Sequence, residues 1–553
     1  ELLSRAAGWC AREGQVDAAI GYALIAQDYE RAAGLIASHW HHTANRGEIE
    51  TVWAWLDALP EDTIRESASL GLAYCWVLWL QGQVGAIEPH LAAAENALDK
   101  AAIADFPDLP AHLAAMRSIV ARHHNDFGAA ATFAERALDL APGDLPPQAE
   151  AQLHTVIFLA LASAYNGTSN LEKAVDALTE TIHWSRRGEN PAGVAGMTNW
   201  LVGILWMLGR LQAADEACRD ALSYLQERKM ARLPVAGVLH IRMSEIYLER
   251  NDLEAAEASL SRGIELAKWS GRFDAVRNAV RALVRLRSAR GDTSGAFAAV
   301  EEAASTLGEQ PSALRRAGLL ALKARILVRQ GAVNEAARCV AEASRLAEQD
   351  QGRIEEQVAL AAFKVMLAQG KLNEAIADLT RSLAAAEDRG RRGAAIELHI
   401  LRSRALAQRG DAQEARADLK RALALAEPEG YVRVFLDEGQ PMQILLAQWL
   451  AHASDGQLRA YATQLLSQFD AERPKTGAEE EKTAPTGDLI EPLSERELEV
   501  LHLIALGLTN KEIAEQLFIA VGTVKAHTST IYRKLDVANR TEAAARARQL
   551  GLL

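Results

Sequence analysis

Aromatic residues make up only 5% of the chain, and alternating runs of β-branched residues are nearly absent. That excludes a sheet-based core and predicts an all-α protein. Cysteine is also scarce: Cys10, Cys75, Cys218 and Cys339 stand singly, with no C-x-x-C pair. They read as small core residues in a reducing compartment, not as a disulfide framework. His39, His41 and His42 cluster, as do His123 and His124, but neither group has partner ligands at a useful spacing, so no metal is expected. No apolar run approaches the length of a membrane span and no secretory signal is present, which predicts a cytoplasmic protein with no membrane partner. Catalytic signatures are missing too. Neither G-x-S-x-G, nor H-E-x-x-H, nor the phosphate loop G-x-x-x-x-G-K-S/T occurs, so the chain is not expected to be an enzyme.

Positive charge is short overall. The balance of −13 over 553 residues argues against a chain that coats nucleic acid along its full length. Yet Val521 to Arg548 hold Lys525, Arg533, Lys534, Arg540, Arg546 and Arg548 against only Asp536 and Glu542. The basic footprint is confined to the C-terminal end.

Before residue 430 the chain repeats itself. A turn residue followed by a small-residue signature recurs at Gly209, Asn251, Gly291, Gly331, Gly370 and Gly410, at separations of 42, 40, 40, 39 and 40 residues. Looser copies stand at Gly14, Gly47, Gly82, Asn125 and Ser169. Glycine or asparagine suits a sharp turn between two helices because the backbone there often turns left-handed. Five positions on, Ala214, Ala256, Ala296, Ala336, Ala375 and Ala415 allow the second helix of each pair to approach the first. One pair cannot bury its own apolar face, so the units must stack into a superhelix with a concave groove. Residues 1–60 form a leading helical segment, 61–427 the array, 428–470 a helical closing segment and 492–553 a C-terminal domain. The stretch 471–491, with Pro474, Pro485, Gly477, Gly487 and Glu479 to Glu481, reads as a flexible linker.

The array resembles tetratricopeptide repeats with longer helices. If that geometry holds, the residue six positions before each turn faces the groove: Glu245, Arg285, Arg325, Lys364 and Arg404, with Arg281 one helical turn before Arg285. Such a basic stripe fits an anionic small-molecule effector or an acidic protein segment. The alternative is that these cations pair with glutamates of neighbouring helices or remain solvated. Trp200, Trp206 and Tyr247 would add a stacking wall, unless they are core.

The C-terminal domain divides into short helices. Ser494 with Glu497, and Thr509 with Glu512, have capping-box spacing. A third helix is predicted from Val521 to Leu535, with Val524, Ile531 and Leu535 turned inward and a polar, partly cationic outer face. Leu493-Ser494-Glu495-Arg496-Glu497, Asn510-Lys511-Glu512-Ile513-Ala514 and Gly522-Thr523-Val524-Lys525-Ala526-His527 closely resemble the LuxR-type helix-turn-helix. That resemblance implies a third helix reading the major groove, with base contacts from Lys525, Ala526 and Ser529. Phosphate contacts would come from Thr509, Asn510, Lys511, Thr523, His527 and Lys534. It also implies dimerisation through the fourth helix, at Ala543, Ala544 and Ala547. Ala520 departs from the serine that most members place before the third helix, which puts a cap at risk.

Gly430 to Met442 and the helical run after it resemble the segment that closes the array in the large MalT-like regulators. That resemblance implies an effector-responsive transcription activator that self-associates, binds double-stranded promoter DNA and engages RNA polymerase, associating with the nucleoid when active. ATP would belong to an ATPase portion preceding Glu1, and no cofactor is expected in this chain. A tetratricopeptide scaffold whose main role is protein binding is the alternative.

Overall fold

In the computed structural model the described residues are 1–45, 48–98, 107–232, 234–267, 273–306, 313–348, 355–472, 495–505, 508–516, 521–535, 537 and 539–549. Every element among them is a helix. The chain forms two compact units, Glu1–Glu472 and Arg473–Leu553. The expected turn at Gly47 and most of the 471–491 linker lie outside the described residues.

The turns dictate the array. All six regular turn residues have positive φ, including Asn251 at 62°, and so do the looser copies Gly14, Gly82, Asn125 and Ser169. At Gly209 the amide of Arg210 donates to the carbonyl of Leu205 at 2.8 Å, and that of Gly209 to Trp206 at 3.0 Å. This pair of bonds satisfies carbonyls that the helix end would otherwise leave unmet. The same long bond recurs from Asp252, Asp292, Ala332, Lys371 and Asp411. Each alanine five residues on is fully buried at a helix-to-helix contact. The thiols of Cys75 and Cys218 are pushed up to about 12 by burial, so both behave as core residues.

Five inner helices carry the stripe: α1 (Pro234–Glu249), α2 (Phe273–Ala289), α3 (Ala313–Arg329), α4 (Glu355–Ala368) and α5 (Arg392–Arg409). By α5 the superhelix has come round far enough to meet the helix Pro191–Met207. A Cβ at Gly393 would fall 2.3 Å from the Trp206 carbonyl oxygen, so only glycine permits this approach.

The closing segment packs on the last array helix, Ala412–Ala426, and its first residues also enter the array's interior. It comprises α6 (Arg433–Leu436), α7 (Gln440–Leu450) and α8 (Gly456–Glu472). Tyr431, Val434, Phe435 and Leu436 join the main core with Ile246, Ile396 and Ile400. The Val432 amide donates to the Glu249 carbonyl at 2.8 Å and the Val434 amide to the Glu249 carboxylate at 2.7 Å. Among the described residues a separate apolar cluster extends from Ala7 to Val120, with members on both sides of residue 60.

The second unit contains α9 (Glu495–Ala505), α10 (Asn510–Gln516), α11 (Val521–Leu535) and α12 (Arg540–Gln549). Val500, Leu501, Ile504, Ile513, Val524, Ile531, Leu535, Ala543 and Ala547 form its core.

Candidate nucleic-acid interface and internal cavity

In the second unit, α11 has the extent that its periodicity predicts, and it buries Val524, Ile531 and Leu535. Lys525, Ser529 and Arg533 are exposed and follow one another four residues apart, which places them along one face. His527 is half-buried. The side chains of Thr523, Ala526 and Ala544, together with Ser494 and Ala520, lie outside the described residues.

The entry to α10 is the capping box that the spacing predicts. Thr509 N–H donates to Glu512 Oε2 at 2.7 Å, and Glu512 N–H to Thr509 Oγ1 at 3.4 Å. The backbone bond from Thr509 holds the Glu512 carboxyl below its ordinary value. Thr509 and Lys511 are exposed beside it, with Asn510 half-buried.

Two expectations change here, and a further cation of the basic footprint proves structural. Lys534, expected at a phosphate, turns inward: its Nζ lies 2.9 Å from Glu497, and only 11% of the lysine side chain and 8% of the glutamate are exposed. Glu497 therefore anchors α11 to α9. Arg540 is likewise structural, its guanidinium donating to the carbonyls of Ile504 and Leu508 at the end of α9. Ala543 and Ala547, expected at a dimer interface, are both fully buried in the domain's own core. A helix of alanines offers small residues on every side, and the side that packs inward is this one. The cap of α12 had no sequence-based expectation. Asn539 Oδ1 accepts from the Glu542 amide at 3.0 Å and its Nδ2 donates to Glu542 at 2.7 Å.

Within the array the stripe is real, but most of it is occupied by acids. Arg281 Nε donates to the buried Glu245 at 2.9 Å, with Arg242 on the other carboxylate oxygen at the same distance. Arg285 donates to Glu249 at 2.7 Å. Lys364 and Arg404 both donate to Glu438, which the closing segment carries in. Its neighbour Asp437 accepts from Arg433 at 2.8 Å, with Arg329 at 3.7 Å and Arg285 at 3.8 Å. Burial would push the Glu438 carboxyl up, but the charges of Lys364 and Arg404 win and hold it at about 2. Asp437 is held lower still against the same burial, chiefly by Arg433, Arg285 and Arg329.

Beside the acidic pair lies a cavity of about 240 Å³. Arg285, Arg325, Lys364 and Arg404 line it, whereas Arg281, Trp200, Trp206 and Tyr247 do not. The aromatics belong to packing: all three lie against the main core, Trp206 meets Tyr431 edge-on at 6.3 Å, and the Tyr247 hydroxyl accepts from Arg219 at 3.3 Å. Asp437, Glu438 and Arg433 were not singled out from the sequence. Their signal was an acidic pair in the one segment that departs from the repeat. Among the described residues no cluster of three histidine, cysteine or acidic residues could hold a metal ion. No helix there is long and apolar enough to cross a membrane.

The family model described as the MalT-like TPR region matches residues 111–452, more than half of the chain. The chain belongs to the MalT-like TPR family. A second family model, bacterial regulatory proteins of the luxR family, matches residues 491–547, which include α9 to α11. The MalT-like match takes in α6 and α7, so the segment bearing Asp437 and Glu438 is part of the family's repeat region. The HTH-type transcriptional regulator MalT of Serratia proteamaculans (strain 568) is 26% identical over 99% of this chain and 61% of its own length. That of Yersinia enterocolitica gives the same three values, so the chain spans about three-fifths of these MalT relatives. The transcriptional regulatory protein LiaR of Bacillus subtilis (strain 168) is 61% identical over 54 residues, 10% of this chain and 26% of LiaR. Among solved structures, a Rap protein complexed with competence and sporulation factor aligns with a TM-score of 0.49 at 13% identity, covering 66% of this chain and 98% of that one.

Proposed function

We propose that this chain is a transcription regulator that grips duplex DNA through α11 and couples that grip to an effector held by its MalT-like array. The observation that carries the reading is the division of α11 into a buried apolar face and an exposed face with Lys525 and Ser529 one helical turn apart. A lysine there reaches guanine edges or phosphate, and a serine is short enough for the backbone to enter the groove. Thr509, Asn510 and Lys511, at the start of α10, supply positioning contacts to phosphate. By the family resemblance, Thr523, Ala526 and His527 would add further contacts to DNA. The relatives' names, which describe transcriptional regulators, support the same function.

One such domain presents a small interface and binds weakly. Effector-driven self-association would gather several on one promoter and raise occupancy without new contacts. Activation through RNA polymerase completes the proposal. Its test is titration of the full chain against duplex DNA selected from a random-sequence pool, over a range of salt. Lys525→Ala should weaken binding and lower the salt slope by about one; unchanged affinity would overturn the assignment of α11.

A further inference from the structure

The cavity inside the array has a cation to spare. Its lining carries Arg285, Arg325, Arg329, Lys364 and Arg404 against Asp437 and Glu438. Four of these cations are in ion pairs, with Glu249, Asp437 or Glu438. Arg325 makes no ion pair or hydrogen bond among the described residues, although its charge adds to those that hold Asp437 ionised, and it is half-buried. The Nε atoms of Arg285 and Arg404 are buried without a partner and sealed from the cavity, so its accessible charge rests on Arg325. Leu322, Ile326, Leu367 and Pro441 give the cavity an apolar wall. Glu397 lines a separate gap of about 10 Å³ that Arg325 also borders, but it is not part of the larger lining.

We infer that this cavity binds a small monocarboxylate with an apolar body, its carboxylate on the Arg325 guanidinium. The planar fork of arginine matches a carboxylate bidentately. With one unpaired guanidinium, the cavity suits a single negative charge; a dianion would be stripped of water against apolar walls without a second free cation. A dry cavity of about 150 Å³ holds benzene, so the larger space here takes a ring with a short acid tail. Bound anion would stand beside Asp437 and Glu438 and compete for Lys364 and Arg404, so occupancy is felt by the segment leading into α7 and α8. This deepens the effector half of the proposed function and rests on it for consequence, while binding itself can be measured without DNA.

The experiment is calorimetric titration of the full chain at constant ionic strength with 3-phenylpropionate, its neutral amide and inorganic phosphate. Wild type, Arg325→Gln and Ala368→Phe are compared. Ala368 is an exposed lining residue, so phenylalanine there obstructs the cavity without entering the core. Saturable binding of 3-phenylpropionate is expected, with the amide and phosphate each at least about tenfold weaker. Arg325→Gln should lose about tenfold or more, the scale of a lost hydrogen bond to a charged group, and Ala368→Phe should lose binding. No saturable binding by wild type at millimolar 3-phenylpropionate, equal binding of phosphate, or unaltered affinity in Arg325→Gln would overturn the site. Lys525→Ala separates the two ideas: it should bind the probe like wild type while binding DNA more weakly. DNA binding that persists beside a failed probe titration sinks the cavity alone.

Discussion

The array and the C-terminal domain use the same material, cations spaced along amphipathic helices, for opposite ends. On the inner helices Arg281, Arg285, Lys364 and Arg404 each meet a carboxylate, and Arg433, 1% exposed, meets both Asp437 and Glu472. On α11 Lys525 stands at the surface, whereas Lys534 is turned onto a buried acid. The position of a cation in the helical repeat fixes its face in both places. What separates a structural cation from a binding one is whether a carboxylate has been brought to it, often from a segment distant in sequence.

That contrast breaks most easily at Arg433. Arg433→Met should destabilise the array by about 3–5 kcal/mol, because it leaves the largely buried Asp437 facing a missing charge. All eleven tryptophans precede residue 473, so tryptophan fluorescence in urea reports the array alone; a loss under about 1 kcal/mol would show the ion pair to be dispensable. Acid acts on the same network. Glu438 is depressed from 4.5 to about 2, and Asp437 is depressed further, so their contribution is present above the ordinary carboxylate value and is lost as pH falls from about 4.5 towards 2. The urea midpoint should drop through that window, and Glu438→Gln should flatten the drop; a variant that falls as steeply as wild type would place the acid sensitivity elsewhere.

Smaller effects sharpen the other side. Thr509→Ala removes one half of the capping box and should cost about 1 kcal/mol, read as faster hydrogen exchange across α10, while the tryptophan signal stays unchanged. Lys525→Ala should shift stability by no more than about 0.5 kcal/mol, yet weaken DNA binding. Loss of folding in that variant would mean Lys525 serves structure, as Lys534 does.

Much of this was legible in the residues. Positive-φ turns at glycine and asparagine, and the buried alanine five positions on, follow from steric rules that act within one helix pair. The extent of α11 and its inward face follow from period and charge in the same way. The stripe was also legible, because the groove-facing position is set by the repeat. Its neutralisation was legible in part: Arg281 and Arg285 pair with Glu245 and Glu249 of the neighbouring helix, the alternative the sequence offered, whereas Glu438, which meets Lys364 and Arg404, lies 34 residues beyond Arg404 and 74 beyond Lys364 in the chain. Lys534 misled for a related reason: its partner, Glu497, comes from another helix. The alanines of α12 suggested a contact with a second copy, but composition cannot say which side of such a helix faces its own domain.

DNA reading by α11 is probed most directly by selecting bound sequences from a random duplex pool with the full chain and, in parallel, with Lys525→Ala combined with Ser529→Ala. Wild type should enrich a defined motif, and the double variant should lose base preference at discrete positions while remaining folded. Enrichment of the same motif, with the same affinity, by both proteins would contradict the assignment.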